Sequence, residues 1–289
     1  MKKRILLVLT LLCFTFVFAQ EKEKDTTYWS KSGKITFLFN QSAFSNWVAG
    51  GDNSIAGNIT GNYEFNYKKN NLTWNNRIDA AYGLSKTGDA DYTRKTDDNI
   101  QLNSLIGNKL KGYWSYSFFL NFKTQFAKGY KYSKDDLGIE TREKYTNFMS
   151  PGYLAFGPGF LWEKSENFKF NLSPVAARFT FVDKNFTLPN NAYFGVDEGK
   201  SSLFELGARA SGYAKFTLFE NVVMENAIAL YSNYLNKPQN VDIDYTMNIN
   251  MKINSFLSTN LTFQTIYDDN AYAGFQIREV FGLGINYIY

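Results

Sequence analysis

The chemistry of this chain has to be sought among carboxylates, lysines and arginines, because its composition lacks the usual nucleophilic machinery. The 289 residues contain no histidine and a single cysteine, Cys13. Ser-His and Cys-His pairs and His-ligated zinc all need an imidazole or a thiolate. What remains is a series of charged side chains set at even spacings inside apolar stretches: Glu64, Arg77, Asp79, Lys123, Glu205, Arg209, Lys215, Glu225, Asp242, Asp244, Lys252 and Arg278. Carboxylates can do acid–base work, but spacing alone brings no two of them to a working distance. No enzyme activity and no cofactor are expected. The acidic runs Asp89, Asp91, Asp97, Asp98 and Asp135, Asp136, Glu140, Glu143 hold the oxygens that Ca²⁺ prefers. Their spacing matches no EF-hand, so they read as solvated loop charge, and no metal ligand is assigned.

The elements that must position these charges are strands. In YWSYSFFLNFKTQF (113–126), Trp114, Tyr116, Phe118, Leu120, Phe122 and Phe126 are set against Ser115, Ser117, Asn121, Lys123 and Gln125. A side-chain period of two is that of a β-strand. The pattern outlasts the ~5–6 residues of an average soluble strand and suits the ~9–11 needed to cross a membrane at a tilt. It recurs from Ile55 to Tyr67, Leu72 to Leu84, Ile100 to Leu110, Val241 to Ile253 and Leu257 to Tyr267. Weaker runs cover Ile35–Phe39, Leu154–Trp162, Phe168–Phe181, Phe204–Phe216, Val222–Tyr231 and Phe275–Tyr289. Together they predict an all-β chain: a transmembrane antiparallel up-and-down β-barrel of about twelve strands, an even number as bacterial single-chain barrels require.

Connections sort by parity. Short turns are expected at KKNN (68–71), Lys111-Gly112, Ser165 to Asn167, Leu218 to Asn221 and Asn254-Ser255, with longer ones at 85–98, 127–150 and 183–200. Short periplasmic turns and long external loops have this order. Tyr63, Tyr67, Trp74, Trp114, Tyr116 and Trp162 flank the short turns, as an interfacial aromatic girdle would. Two positions break the alternation. The apolar parity flips across Pro174, where a bulge is expected, and Glu279 shares the apolar face with Ile277 and Phe281. It lies either at the headgroup level or at a bulge that turns it inward.

The start, MKKRILLVLTLLCFTFVFAQ, has a basic tip, a short apolar run and small Ala19, the layout of a secretory signal peptide. The expected organisation is a signal peptide over 1–19, a periplasmic segment over 20–33 and the barrel over 34–289. Cleavage would remove Lys2, Lys3 and Arg4, leaving 31 − 3 = 28 basic against 27 acidic residues, a net charge of +1. Nothing in that balance argues for a nucleic-acid partner, and none is expected. The expected address is the outer membrane of a Gram-negative cell, with lipid as the first partner.

If the apolar face meets lipid, the charges on the polar parity line the lumen. Both signs occur, which argues for weak ion selectivity or none. Barrels of ~8 strands are filled by side chains and those of 16–18 leave an aqueous channel, so twelve allows a narrow pore. A passive channel for small polar solutes is the leading reading. The alternative is a closed structural or accessory barrel, its interior filled by mutually paired charges, that engages an unidentified protein partner through its loops or periplasmic segment. The stretch NQSAFSNWVAGGDN (40–53) is apolar for an external loop, with Phe44, Asn46, Trp47, Gly50 and Gly51 forming a candidate plug or ligand site.

The segments FSNWVAGGDN (44–53) and IREVFGLGINY (277–287) are similar to those of an uncharacterised Bacteroidota outer-membrane β-barrel family, domain of unknown function 3078. The resemblance implies compartment and fold, not substrate. It places Trp47, Gly50, Gly51 and Glu279 among positions typical of that family. The aromatic end, Tyr287 and Tyr289, resembles the signal read by the outer-membrane insertion machinery, an expected partner.

Overall fold

The computed structural model describes residues 28–45, 52–88, 90–188 and 192–289. The signal peptide expected over 1–19 lies outside them. The strands are β1 (Trp29–Ser42), β2 (Ser54–Lys69), β3 (Leu72–Thr87), β4 (Arg94–Lys109), β5 (Trp114–Thr124), β6 (Gly129–Lys134), β7 (Glu140–Thr146), β8 (Gly152–Ser165), β9 (Phe168–Phe181), β10 (Ser202–Phe219), β11 (Val222–Asn233), β12 (Val241–Lys252), β13 (Leu257–Asp268) and β14 (Tyr272–Ile288). Twelve of them close into one antiparallel barrel, each next to its neighbour in sequence except that β5 pairs with β8. The remaining two, β6 and β7, form a hairpin in the connection between β5 and β8. The twelve wall strands coincide one for one with the twelve stretches of alternating polarity, because alternation fixes which side chains point out and the ladder follows.

The barrel closes where β1 meets β14. Their register runs from Lys34↔Ile288 to Phe39↔Leu283, and Gly33 and Tyr289 exchange backbone hydrogen bonds of 2.9 and 3.0 Å. Above that seam the Asn40 side-chain amide donates to the Phe281 carbonyl at 2.8 Å, taking the place of a ladder bond.

Turns at one end are short: 70–71, 110–113, 166–167, 220–221 and 253–256. Asn70 turns the first with φ 52°, a left-handed conformation that Asn tolerates. The opposite end carries the connections 43–53, 88–93, 125–151, 182–201, 234–240 and 269–271. Around the short-turn end the aromatic rings touch in chains, Tyr28–Tyr67, Trp29–Trp74, Tyr63–Tyr289, Tyr113–Trp162 and Trp162–Phe168.

Three boundaries differ from the sequence reading. β1 begins at Trp29, so residues 29–33, assigned above to the N-terminal segment, are strand and pair with Tyr63 to Tyr67 of β2. The connection expected over 85–98 shrinks to 88–93, because β3 and β4 continue past their apolar portions with polar residues still in the ladder. Asp97 and Asp98 are therefore strand residues of β4.

The parity flip on β9 is a bulge. Register slips opposite Phe156/Phe160 on one side and Gly207/Arg209 on the other, bracketing Pro174. Glu279 stays on the outer face with Ile277 and Phe281, exposed, since the bulge nearest it falls at Tyr267/Asp268.

Candidate functional site in the barrel interior

Three ion pairs identify the inner face. Lys123 on β5 reaches Asp244 on β12 at 3.0 Å, although β8, β9, β10 and β11 lie between them along the wall. Arg278 on β14 pairs with Asp97 on β4, across β1, β2 and β3. Arg178 on β9 pairs with Asp242 on β12, across β10 and β11. Such contacts are made only through the lumen, and strand alternation carries the assignment to side chains of the same parity.

Toward the short-turn end, Arg77 is held between Glu64 at 3.0 Å and Asp79 at 2.8 Å. Lys215 pairs with Glu225 at 3.1 Å on the β10–β11 hairpin, and Lys252 ends β12 nearby. The Glu225 carboxylate is within electrostatic reach of Arg77 on the opposite wall. Enclosed as they are, Glu64, Arg77, Asp79, Lys123 and Asp244 keep between 26% and 36% of their side-chain surface accessible. Water reaches them, and pairs so solvated hold about 0–1 kcal/mol each.

Toward the long-loop end the packing is tight. Glu205, 2% accessible, receives the Arg178 guanidinium through two bonds of 2.5 and 2.8 Å, and Asn233 donates to the same carboxylate at 3.0 Å. The other arm of Arg178 takes Asp242. These groups border a cavity of about 20 Å³, room for roughly one water. Beside them Phe119, Ala155, Ala176 and Tyr231 form a buried apolar cluster against which Leu105 packs. Arg178 stacks on Tyr231 with its guanidinium 4.2 Å from the ring centre, and Arg209 lies 5.3 Å from that of Phe119.

Of the charges picked out from sequence, Glu64, Arg77 and Asp79 form one group, Lys123 and Asp244 a second, Lys215 and Glu225 a third, and Glu205 and Asp242 share Arg178. Arg278 takes Asp97. The Arg209 and Lys252 side chains make no ion pair or hydrogen bond among the described residues, and Arg209 is within electrostatic reach of Asp244. Sequence reasoning missed Arg178, Asp97, Phe119 and Tyr231. Arg178 alternates with Val175's shifted register, between Ala177 and Phe179, and that signal was available. Phe119 occupies the inward slot between Phe118 and Leu120, which marks an apolar patch inside the barrel.

The plug candidate is only partly described. Asn46, Trp47, Gly50 and Gly51 lie outside the described residues. Phe44 is 40% accessible, and its backbone N–H donates to the Asn53 side-chain carbonyl at 2.6 Å.

The loop acids are taken up locally. Asp135 accepts from the Leu137 and Ile139 amides, and Asp98 accepts from Lys95 and from the Phe126 and Ala127 amides. Asp242, Asp268 and Asp269 bring carboxylate oxygens within 4.8 Å of one another at the rim. Asp242 is held by Arg178, and Asp269 accepts from the Asn240 side chain at 2.8 Å. Glu140 of β7 ties the hairpin to the start of β4 through Arg94 and to the 88–93 connection through the Asp91 amide, at 3.1 Å for the latter. The Arg94 hydrogen bond, with its charge, holds the Glu140 carboxyl below the usual range. A depressed folded-state pKa stabilises above the unfolded value, about 4.3, and that contribution is lost as pH falls through the folded value. Protection of the Asp91 amide from hydrogen exchange is therefore expected to hold at pH 6 and to decline below about pH 4, with Glu140→Gln losing the dependence.

Residues 39–130 match a family described as a protein of unknown function (DUF3078). No curated protein matches the chain. Among solved structures, the translocator domain of the autotransporter NalP from Neisseria meningitidis aligns with 99% of this chain and 95% of its own, at 9% identity and a TM-score of 0.39. An outer membrane channel from Pseudomonas putida F1 aligns over 93% and 99%, at 12% identity and a TM-score of 0.37. Both are barrels of outer-membrane proteins.

Proposed function

We propose that this chain is an outer-membrane barrel, delivered by a cleaved signal peptide, that passes small polar solutes by diffusion through a narrow lumen. The observation that carries the reading is the hydration of the inner face: five enclosed charged side chains each keep at least a quarter of their surface open to water. A barrel filled by packing would not leave that space. The address rests on the outer face, where Phe37, Ile59, Phe118, Phe170, Phe204, Phe281 and Leu283 are exposed above an aromatic girdle. So large an apolar surface needs lipid to cover it. On this reading the short turns are periplasmic, and Tyr287 and Tyr289 are what the insertion machinery reads. The lining offers acids and bases in neutralising pairs, which suits transit without catalysis.

One observation favours the second reading, a closed accessory barrel with a protein partner at its loops. The Lys123–Asp244 pair bars the lumen beside the Phe119–Tyr231 cluster. Planar-bilayer recording separates the two. The wild-type barrel is expected to give discrete conductance steps, and Lys123→Met combined with Asp244→Asn is expected to enlarge them by removing the bar. Silence from both folded proteins would overturn the channel and leave the closed barrel.

A further inference from the structure

We infer that the long-loop rim carries a binding site for a small zwitterion of α-amino-acid size, its ammonium taken by Asp52 and Asp91 and its carboxylate by Lys134 and Arg94. The site lies at the rim rather than among the inward charges, and it does not depend on the lumen conducting. A cavity of about 250 Å³ opens between the end of the 43–53 connection, the 88–93 connection with the strand ends that flank it, and the tip of the β6–β7 hairpin. It has room for roughly eight waters, just under the ~300–1,000 Å³ of pockets that take drug-sized ligands. Those pockets are mostly apolar. This one is lined chiefly by charge and hydroxyl, from Asp52, Thr87, Asp91, Arg94, Lys134 and Glu140.

One charged group builds the walls, and the others stand free. Glu140, its side chain 9% accessible, accepts from the Arg94 guanidinium and from the Asp91 amide at 3.1 Å, so the hairpin, the 88–93 connection and the first residue of β4 meet at one buried carboxylate. Asn53, next to Asp52, is tied to the same connection, its carbonyl accepting from the Gly88 amide at 2.7 Å. The cavity is thus shaped before anything enters it, which lowers the cost of binding. Among the described residues the Asp52 and Asp91 carboxylates and the Lys134 ammonium make no ion pair and no hydrogen bond. Lys134 stands opposite Glu140 in the hairpin register, but Arg94 has taken that carboxylate. Arg94 adds to the cationic side, since only one of its five N–H donors is spent on Glu140. Free charges of both signs therefore border one cavity, too far apart to pair across it. A ligand that carries both signs answers them together. A simple cation or anion would satisfy one set and be repelled by the other, and a neutral polyol would offer only hydroxyls, where an ammonium and a carboxylate make charge-assisted bonds about twice as strong.

The test uses the folded full-length barrel in detergent and saturation-transfer NMR, with L-glutamine as the probe and its N-acetyl derivative, its α-amide and glucose as controls. The N-acetyl derivative lacks the ammonium, and the α-amide lacks the carboxylate. Glutamine is expected to bind the wild type about tenfold more tightly than any of the three, as the loss of a charge-assisted contact predicts. Asp52→Asn/Asp91→Asn is expected to weaken glutamine about tenfold and to erase its advantage over the N-acetyl derivative while keeping that over the α-amide. Lys134→Met is expected to narrow the advantage over the α-amide and leave the other intact. The three side chains are exposed, so these variants are expected to fold, and a selective loss of one preference is a result that misfolding does not give. Glutamine that fails to bind the wild type, controls that bind as tightly, or variants that weaken all four compounds equally overturn the site. Glucose binding more tightly than glutamine overturns it as well, because the free charges would then not be what selects the ligand.

Discussion

Replacing Arg178 by methionine is expected to destabilise the barrel by about 3–5 kcal/mol, the cost of leaving a buried charge without its partner. Glu205 is the reason. At 2% accessibility its carboxylate has been taken almost fully out of water, and Arg178 is the one cation bonded to it among the described residues. Asn233 at 3.0 Å and Asn270 at 3.4 Å remain as donors after the substitution, but neutral amides cannot replace a guanidinium in a dry setting. Asp242 loses the same arginine and stands close enough to add repulsion. Methionine keeps much of the packing on Tyr231, so the loss is electrostatic rather than steric. Neutralising the acids as well, in Arg178→Met/Glu205→Gln/Asp242→Asn, should recover most of the deficit, because these two carboxylates then carry no uncompensated charge. Denaturant unfolding followed by tryptophan fluorescence measures both. Lys200→Met is the calibrating variant, since its pair with Asp197 is about two-thirds exposed on each side and should be nearly silent. If Arg178→Met costs no more than Lys200→Met, the burial argument fails.

The ladder was legible from residues 113–126 alone because a strand's period is a local property: Trp114 to Phe122 declare an outside, and Ser117, Asn121 and Lys123 an inside. The same parity sets Asp242 and Asp244 apart from Ile243, and the two acids pair with Arg178 and Lys123. What parity cannot state is the partner. Lys123 meets Asp244 because of how far the ladders slip around the wall, and that slip is the sum of small offsets at each strand pair, including the bulges at Pro174 and Ala208. No local window contains that sum. Asp97 was lost for a related reason. It sits past the apolar part of β4, where sequence looks like loop, yet Asn58 and Arg278 hold it in the interior. The apolar alternation ends at Ile100, but the hydrogen-bonded strand continues to Arg94. Phe119 shows the converse case, an apolar residue on the polar parity, whose meaning appears only when Tyr231 and Ala176 arrive from other strands.

Gly207 supplies the second large effect, and its sign depends on a backbone approach that no propensity scale records. A Cβ at Gly207 would collide with the Ser232 carbonyl oxygen and come within 3.0 Å of Tyr231 Cζ. Neither neighbour is free to move: Ser232 is in register with Ala208 on the β10–β11 ladder, and Tyr231 is packed among Phe119, Ala155 and Ala176. Gly207→Ala must therefore pull β10 and β11 apart or push Tyr231 off its seat. Overpacking of this kind costs about 1–3 kcal/mol and more when backbone is the obstacle. Gly61→Ala makes the same chemical change where the nearest atom, Ile35 Cγ1, is 4.0 Å away, an ordinary contact. There the lower chain entropy of alanine should stabilise by up to about 1 kcal/mol. The two variants are thus expected to move the unfolding midpoint in opposite directions, and a shared direction would refute the close approach.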